Sequence, residues 1–395
     1  MNSPHEVVVL SGVRTAIGDY GGALKDIAPT ELAAQVVREA VKRANIDARQ
    51  VNQLVFGNVV HTEARDMYFS RVACIKGGLP QDTTALTVNR LCGSGLQAIV
   101  SAAQAIQLGE ATVTLGGGAE SMSRGGYLMP TLRWGQRMSD GNVVDMMVGA
   151  LTDPFETVHM GITAENIAAQ WKITREQQDE FAVESHRRAI NAIEKGYFKD
   201  QILPIELKTR KGVTLFSKDE HPRADASVEG MAKLRAVFKK EGSVTAGNAS
   251  GINDGAAAVV LMEKAAAAKK GLKPMARLVS YGIAGVDPKI MGIGPVPACQ
   301  QALARAGLKI GDIDVVEANE AFAVQAMAVA CDLKFDAAKT NPNGGAVGLG
   351  HPIGATGALV TVKALYELQR TGGKYALVTM CIGGGQGIAA IFERM

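Results

Sequence analysis

One run of elements occurs twice in this chain, about 260 positions apart, and a duplication on that scale restricts the fold more than any composition does. In the first copy "GLQAIVSAAQAIQLG" (95–109) predicts a helix, because Leu96, Ile99, Val100, Ala103 and Ile106 fall on one face. The predicted strand "ATVTL" (111–115) and a loop at Gly116-Gly117-Gly118 follow. In the second copy "ATGALVTVKALYELQRTGG" (355–373) reads as a helix stopped by glycine, then "KYALVTM" (374–380) as a strand and "CIGGGQG" (381–387) as a loop. The segments upstream also correspond. Strand, helix and strand over 6–18, 30–46 and 51–60 recur over 276–285, 296–308 and 312–323. Alternating strands and helices build layered α/β domains, so a duplicated α/β fold is expected.

Residues 121–250 break the pattern. They contain both tryptophans and a capping box, Thr174-x-x-Gln177, opening a helix expected to stop before Gly196. They read as an insertion, with the chain returning to a core through "TAGNASGINDGAAAVVLM" (245–262). The expected organisation is therefore 1–120 plus 251–270 as the first half, 121–250 as the inserted loop domain, and 271–395 as the second half.

Charge and cysteine usage exclude several classes. A net charge of +3 spread along 395 residues gives no nucleic-acid footprint. The start "MNSPHEVVVLSG" has no basic and apolar leader, and the apolar runs are too short to span a bilayer. Five cysteines without a C-x-x-C pair argue against a disulfide scaffold or a metal site, and point to a reducing cytoplasm.

The chemistry centres on "VNRLCGSGLQA" (88–98). Cys92 precedes a helix, where unpaired N–H groups and the helix dipole lower a thiol's pKa. The glycines beside it are expected to open a path for substrate and to offer N–H groups to an oxyanion. Gly93-x-Gly95-x-x-Ala98 also fits a dinucleotide fingerprint, but the next strand leads into three glycines where a ribose-binding acid belongs, and Glu120 comes too late. A cysteine nucleophile wants a base. His351, in "NPNGGAVGLGHPIGATGA", stands in a glycine-rich turn before a helix and can approach a ligand. His5 and His221 read as solvated and His186 as surface; His61 is ambiguous. Cys381 ends a strand before three glycines, at the carboxyl edge where α/β sheets gather ligands. Cys74, Cys299 and Cys331 are read as packing residues.

"NRLCGSGLQAI", "NEAFA" (319–323), "GHPIGATGA" (350–358) and "CIGGGQG" (381–387) resemble, in order, the four signature blocks of the thiolases. The resemblance runs from "SGVRTAIGDYGG" to the end of the chain. "HMGITAENIA" and "TAGNASGINDGAAA" are similar to the biosynthetic acetoacetyl-CoA branch, and "RDMYFSRVA" with "DPFETVHMG" to broad-range bacterial β-ketothiolases of polyhydroxyalkanoate synthesis.

The resemblance implies a five-layered αβαβα fold with an inserted loop domain, and a homotetramer built as a dimer of dimers. It implies reversible condensation of acetyl-CoA with acetyl-CoA or a short acyl-CoA, with coenzyme A as substrate, no tightly bound cofactor and no metal. Cys92 would carry the acyl group, His351 would activate it, and Cys381 would move the α-proton. Asn319 would hold a water that, with His351, faces the enolate oxygen, while the N–H groups of Cys92 and Gly383 form a second oxyanion hole. His159 and Ser250 would contact the pantetheine and Arg223 the nucleotide end. Met160 and Phe238 would shape acyl preference, and Ala246, Ala321 and Phe322 would line the substrate path. The basic residues within 206–241 would favour the phosphates. Neighbouring expectations are a 3-ketoacyl-CoA thiolase of fatty-acid oxidation, a ketosynthase, and a non-catalytic acyl-CoA-binding protein. A ketosynthase normally pairs one cysteine with two histidines, and here a second cysteine stands in that place.

Overall fold

The computed structural model describes residues 5–209 and 212–395. Arg210 and Lys211, part of the basic stretch noted above, lie outside the described residues. The duplication is visible strand by strand. In the first half Gln53–Gly57 lies parallel to both Thr84–Val88 and Val113–Ser121. Val113–Ser121 pairs antiparallel with Asn253–Glu263, which pairs antiparallel with Val7–Arg14. The second half repeats this order. Val315–Ala318 lies parallel to Tyr375–Ile382, which pairs antiparallel with Gln386–Arg394, itself antiparallel to Ala276–Gly285. An isolated parallel bridge from Val316 to Thr340 stands where the first half has Thr84–Val88. Among the described residues the strands of the two halves join along one edge, through Val8–Arg277 and Val9–Ala276.

Helices complete the layers. Pro29–Ala44 covers one face of the first half, and Pro295–Ala306 covers the corresponding face of the second. Between the halves lie Ser94–Gln107 and Ile353–Thr371, the latter packed on strands of both. These two helices approach closely because glycine lies on each. A Cβ at Gly357 would sit 2.2 Å from the backbone nitrogen of Leu96, and one at Gly95 would sit 2.6 Å from that of Ala358. The long apolar runs of the central strands follow from burial on both faces: Asn253–Met262 is buried throughout.

Two local expectations change. Gly116, Gly117 and Gly118 lie inside the strand Val113–Ser121 rather than in a loop. A side chain at Gly116 would strike the Ile99 backbone at 2.6 Å, and one at Gly118 the Gly354 carbonyl at 2.4 Å. The glycines therefore admit helices against the strand. Cys381 likewise lies within Tyr375–Ile382, and a strand not anticipated from the sequence, Gln386–Arg394, follows.

Residues 122–252 add no strand to the large sheet among the described residues. They carry the helices Met160–Trp171 and Arg175–Glu194, the second opened by the reciprocal Thr174/Gln177 box. They are tied to the core by a buried pair, Arg14 with Asp219 at 2.8 Å, whose carboxylate also accepts from the Ile17 N–H. Glu165 accepts from the N–H groups of Ser243 and Val244, both at 2.8 Å, and fixes the returning chain. Among the described residues no helix is long and apolar enough to cross a membrane.

Candidate active site

Cys92 lies two residues before the start of the helix Ser94–Gln107. The residue before it, Leu91, has φ of +43°, a left-handed conformation costly for a branched side chain. Ser94 fixes this turn by accepting from the Arg90 N–H at 2.9 Å and donating to the Leu91 carbonyl at 2.6 Å. The glycines beside Cys92 serve packing rather than substrate entry. A Cβ at Gly93 would meet Ile382 at 2.6 Å.

The expected lowering of the Cys92 pKa is reversed. Loss of solvent pushes the thiol up to about 11, against the pull of the Gly383 N–H and its own N–H, and the charge of Glu120 adds to the rise. Burial outweighs the helix terminus, so a resting thiolate is disfavoured and a base must take the proton.

His351 supplies a lone pair. It is buried, and loss of solvent pushes its pKa down to about 4, so the ring is neutral near pH 7. Its Nδ1 lies 2.6 Å from Thr356 Oγ1 and its Nε2 3.4 Å from Asn319 Nδ2. An amide nitrogen only donates, so the Asn319 contact suits an unprotonated Nε2, with Nδ1–H donating to Thr356. The backbone of His351 donates to Asn253 Oδ1 at 2.9 Å. The side-chain oxygen of Asn319 is buried without a partner among the described residues, free to accept from a bound water or substrate group.

A cavity of about 390 Å³ opens over these groups, lined by Cys92, His351 and Gly383 together with Leu91, Met122, Leu151, Ile252, Met291 and Ile353. Met160, Ala246, Ser250 and Ala321 line it as well. His159 and Phe238 form one wall, their rings stacked at 4.5 Å, with Phe322 edge-on to Phe238 at 6.3 Å. His159 is held by its place at the head of the helix Met160–Trp171, where Nδ1 accepts from the Gly161 N–H at 3.0 Å. Burial lowers its pKa, keeping the ring neutral. Cys381 does not line the cavity. It is fully buried beside Cys92, and burial first and the neighbouring thiol second push its pKa strongly upward.

Arg223 is set apart from this cavity. It is exposed and lines a neighbouring one of about 450 Å³ with His186, His221, Ser227 and Met231; Ala246 and Ala249 border both. His186, expected at the surface, is buried, with its pKa pushed down to about 4, and its Nδ1 accepts from the Arg223 N–H at 3.2 Å. His221, expected solvated, is half-buried against Asp19, Nδ1 to Oδ1 2.6 Å. Cys331 is exposed rather than packed, unlike Cys74 and Cys299. Thr356 and Asn253 were missed. Thr356 follows His351 by five residues in the same glycine-rich block, a signal that was available; nothing local marks Asn253.

Residues 7–265 match the family "Thiolase, N-terminal domain" and residues 272–394 match "Thiolase, C-terminal domain". The chain belongs to the thiolase family. It is 67% identical over 391 residues to the beta-ketothiolase BktB of Cupriavidus necator, covering 99% of each chain. The crystal structure of the Bacillus anthracis acetyl-CoA acetyltransferase superposes with a TM-score of 0.98 at 48% identity, covering all of both chains. Human mitochondrial 3-ketoacyl-CoA thiolase in complex with CoA superposes at 0.96 and 45% identity, covering 99% of this chain and 98% of that one. The protein is a thiolase-fold acyltransferase, of a family that catalyses Claisen condensation of acetyl-CoA.

Proposed function

We propose that this thiolase is an acetyl-CoA C-acetyltransferase that also accepts short acyl chains, working reversibly through an acyl group on Cys92. The observation that carries the reading is a neutral His351 and the Cys92 thiol lining one apolar cavity, with the Cys381 thiol buried behind it beside Cys92. In the cleaving direction His351 Nε2 takes the Cys92 proton as sulfur attacks the 3-keto carbonyl. The carbon–carbon bond breaks, and the departing enolate of acetyl-CoA takes a proton from the Cys381 thiol. Incoming coenzyme A gives its thiol proton to the Cys381 thiolate and attacks the acyl-Cys92. Cys92 leaves and recovers its proton from His351. Every proton returns to its place, and condensation is the reverse.

Burial suits each role. A thiol held protonated is an acid waiting for a carbanion, and a neutral imidazole is a base. A water on the free Asn319 oxygen, with His351, would face the enolate oxygen, and the N–H groups of Cys92 and Gly383 would face the acyl oxyanion. His159, Ser250 and Phe238 stand where the pantetheine would pass, with Met160, Ala246, Ala321 and Phe322. Arg223 in the neighbouring cavity suits the nucleotide phosphates. Residues 121–250 would cover coenzyme A as a loop domain between the halves 1–120 plus 251–270 and 271–395.

Assembly as a dimer of dimers is supported by apolar surface. Trp134 and Met138 are 87% and 85% exposed, and Leu86 projects from the edge strand Thr84–Val88. The substrate reading is tested by thiolysis rates for acetoacetyl-, 3-ketovaleryl- and 3-ketohexanoyl-CoA. Activity on the first two is expected; activity only on chains longer than all three would contradict it.

A further inference from the structure

The duplication extends to the site itself. In the first half Gly57 pairs with Gly118; in the second, Ala318 pairs with Thr379. One residue beyond the first of each pair stand Asn58 and Asn319. Two residues beyond the other stand Glu120 and Cys381. The antiparallel neighbours agree, since Glu120 faces Gly255 and Cys381 faces Gly387. Cys92 and His351 each lie two residues before a central helix, Ser94–Gln107 and Ile353–Thr371. Glu120 thus occupies in the first half the place that Cys381 occupies in the second.

Its contacts are those of a clamp. Glu120 is fully buried. One carboxylate oxygen accepts from Asn58 Nδ2 and the Val60 N–H, both at 3.0 Å. The other accepts from the Val59 N–H at 3.1 Å and the Gly354 N–H at 2.8 Å. Gly354 lies in the first turn of the helix that follows His351, a helix without a side-chain cap of its own. The carboxylate therefore caps the His351-bearing turn from the other half of the molecule. All four of these partners are donors, which suits the ionised form. Burial opposes this and pushes the carboxyl up to about 8, with Asp66 adding to the rise. When it is ionised its charge adds to the effect of burial in raising the Cys92 thiol.

We propose that Glu120 is a positioning residue for acyl transfer: its carboxyl group ties the His351 turn to the loop 58–60, holding His351 where it can take the Cys92 proton, and in its ionised form it sets a negative charge against Cys92. The proposal rests on the roles given above to Cys92 and His351. Alkylation of Cys92 reads the thiol without requiring the reaction, so the two can fail separately.

The test uses the full chain with Glu120→Gln and Glu120→Asp. Iodoacetamide modification of Cys92, located by peptide mapping, is followed against pH without substrate, and kcat and KM are measured for acetoacetyl-CoA thiolysis. Cys92 titrates well above the carboxyl, so Glu120 is ionised where the thiol is read. Glu120→Gln should move the alkylation midpoint to lower pH by about half a unit or more. It should also lower kcat at least about tenfold with KM changed less than about threefold. Glu120→Asp keeps the charge but is too short to reach Gly354; its midpoint should stay near the parent's while kcat still falls. A parent-like midpoint in Glu120→Gln, or parent-like kcat in both variants, overturns the proposal. Failure of both variants to fold assigns Glu120 to stability alone and overturns it too.

Discussion

His351 works as a base only if one nitrogen is kept free. The Asn319 amide Nδ2, which can only donate, lies 3.4 Å from Nε2, and the Thr356 hydroxyl 2.6 Å from Nδ1 fixes the ring from the other side. Thr356→Val keeps the shape and removes the hydrogen bond to Nδ1. It should lower kcat by roughly 10–100-fold with little change in KM, as expected for a partner that fixes tautomer and ring orientation. Steady-state thiolysis of acetoacetyl-CoA measures this, and an unchanged kcat would show that the ring is oriented otherwise. Buried histidines also make stability depend on pH. His186 has an ordinary pKa of 6.5 pushed down to about 4. The unfolded chain therefore takes up the proton first as pH falls, so stability is full above 6.5 and is lost between there and 4. At pH 5 this amounts to about 2 kcal/mol. His186→Gln should show a smaller fall in Tm between pH 7 and pH 5 than the parent, and equal falls would rule this out. Single residues also show where sequence reading stops. Cys92, His351 and Cys381 are marked by the glycines around them. That Cys92 is held as a thiol depends first on burial under packing from the other half, which is not local in sequence.

Helices and strands were legible where their periodicity was strong. The Thr174/Gln177 box marked its helix because both of its hydrogen bonds lie within one turn. The glycine triplet at 116–118 reads as a loop in the sequence because glycine usually punctuates strands; in the fold its missing side chains admit Ile99 and Gly354 against the strand. Glycines of the two kinds should respond differently to substitution. Gly357→Ala places a methyl 2.2 Å from the Leu96 nitrogen and cannot be relieved without moving a central helix. It should cost about 2 kcal/mol or more, in the range of overpacked cores. Gly149, helical and with open space around it, should accept alanine with no loss and up to about 1 kcal/mol of gain. Thermal unfolding of the two variants beside the parent decides this. Similar Tm values for both would mean that the helix crossing is not tightly packed.

At the scale of the molecule, two copies of one α/β unit meet along a short strand edge and around two central helices, and the reactive groups stand where the copies face each other. The duplicate architecture could be read from the sequence because each copy keeps its order of elements. The pairing of Glu120 with Gly354 needed the halves brought together. Division of labour between the two thiols is the central claim, and one variant examined in two ways tests it. Cys381→Ala, incubated briefly with labelled acetyl-CoA, should still acquire acetyl on Cys92, because that transfer uses His351 and forms no carbanion. The same protein in deuterium oxide should lose exchange of the acetyl-CoA methyl hydrogens, together with condensation. Acetyl on another cysteine, or methyl exchange at the parent rate in Cys381→Ala, would contradict the account.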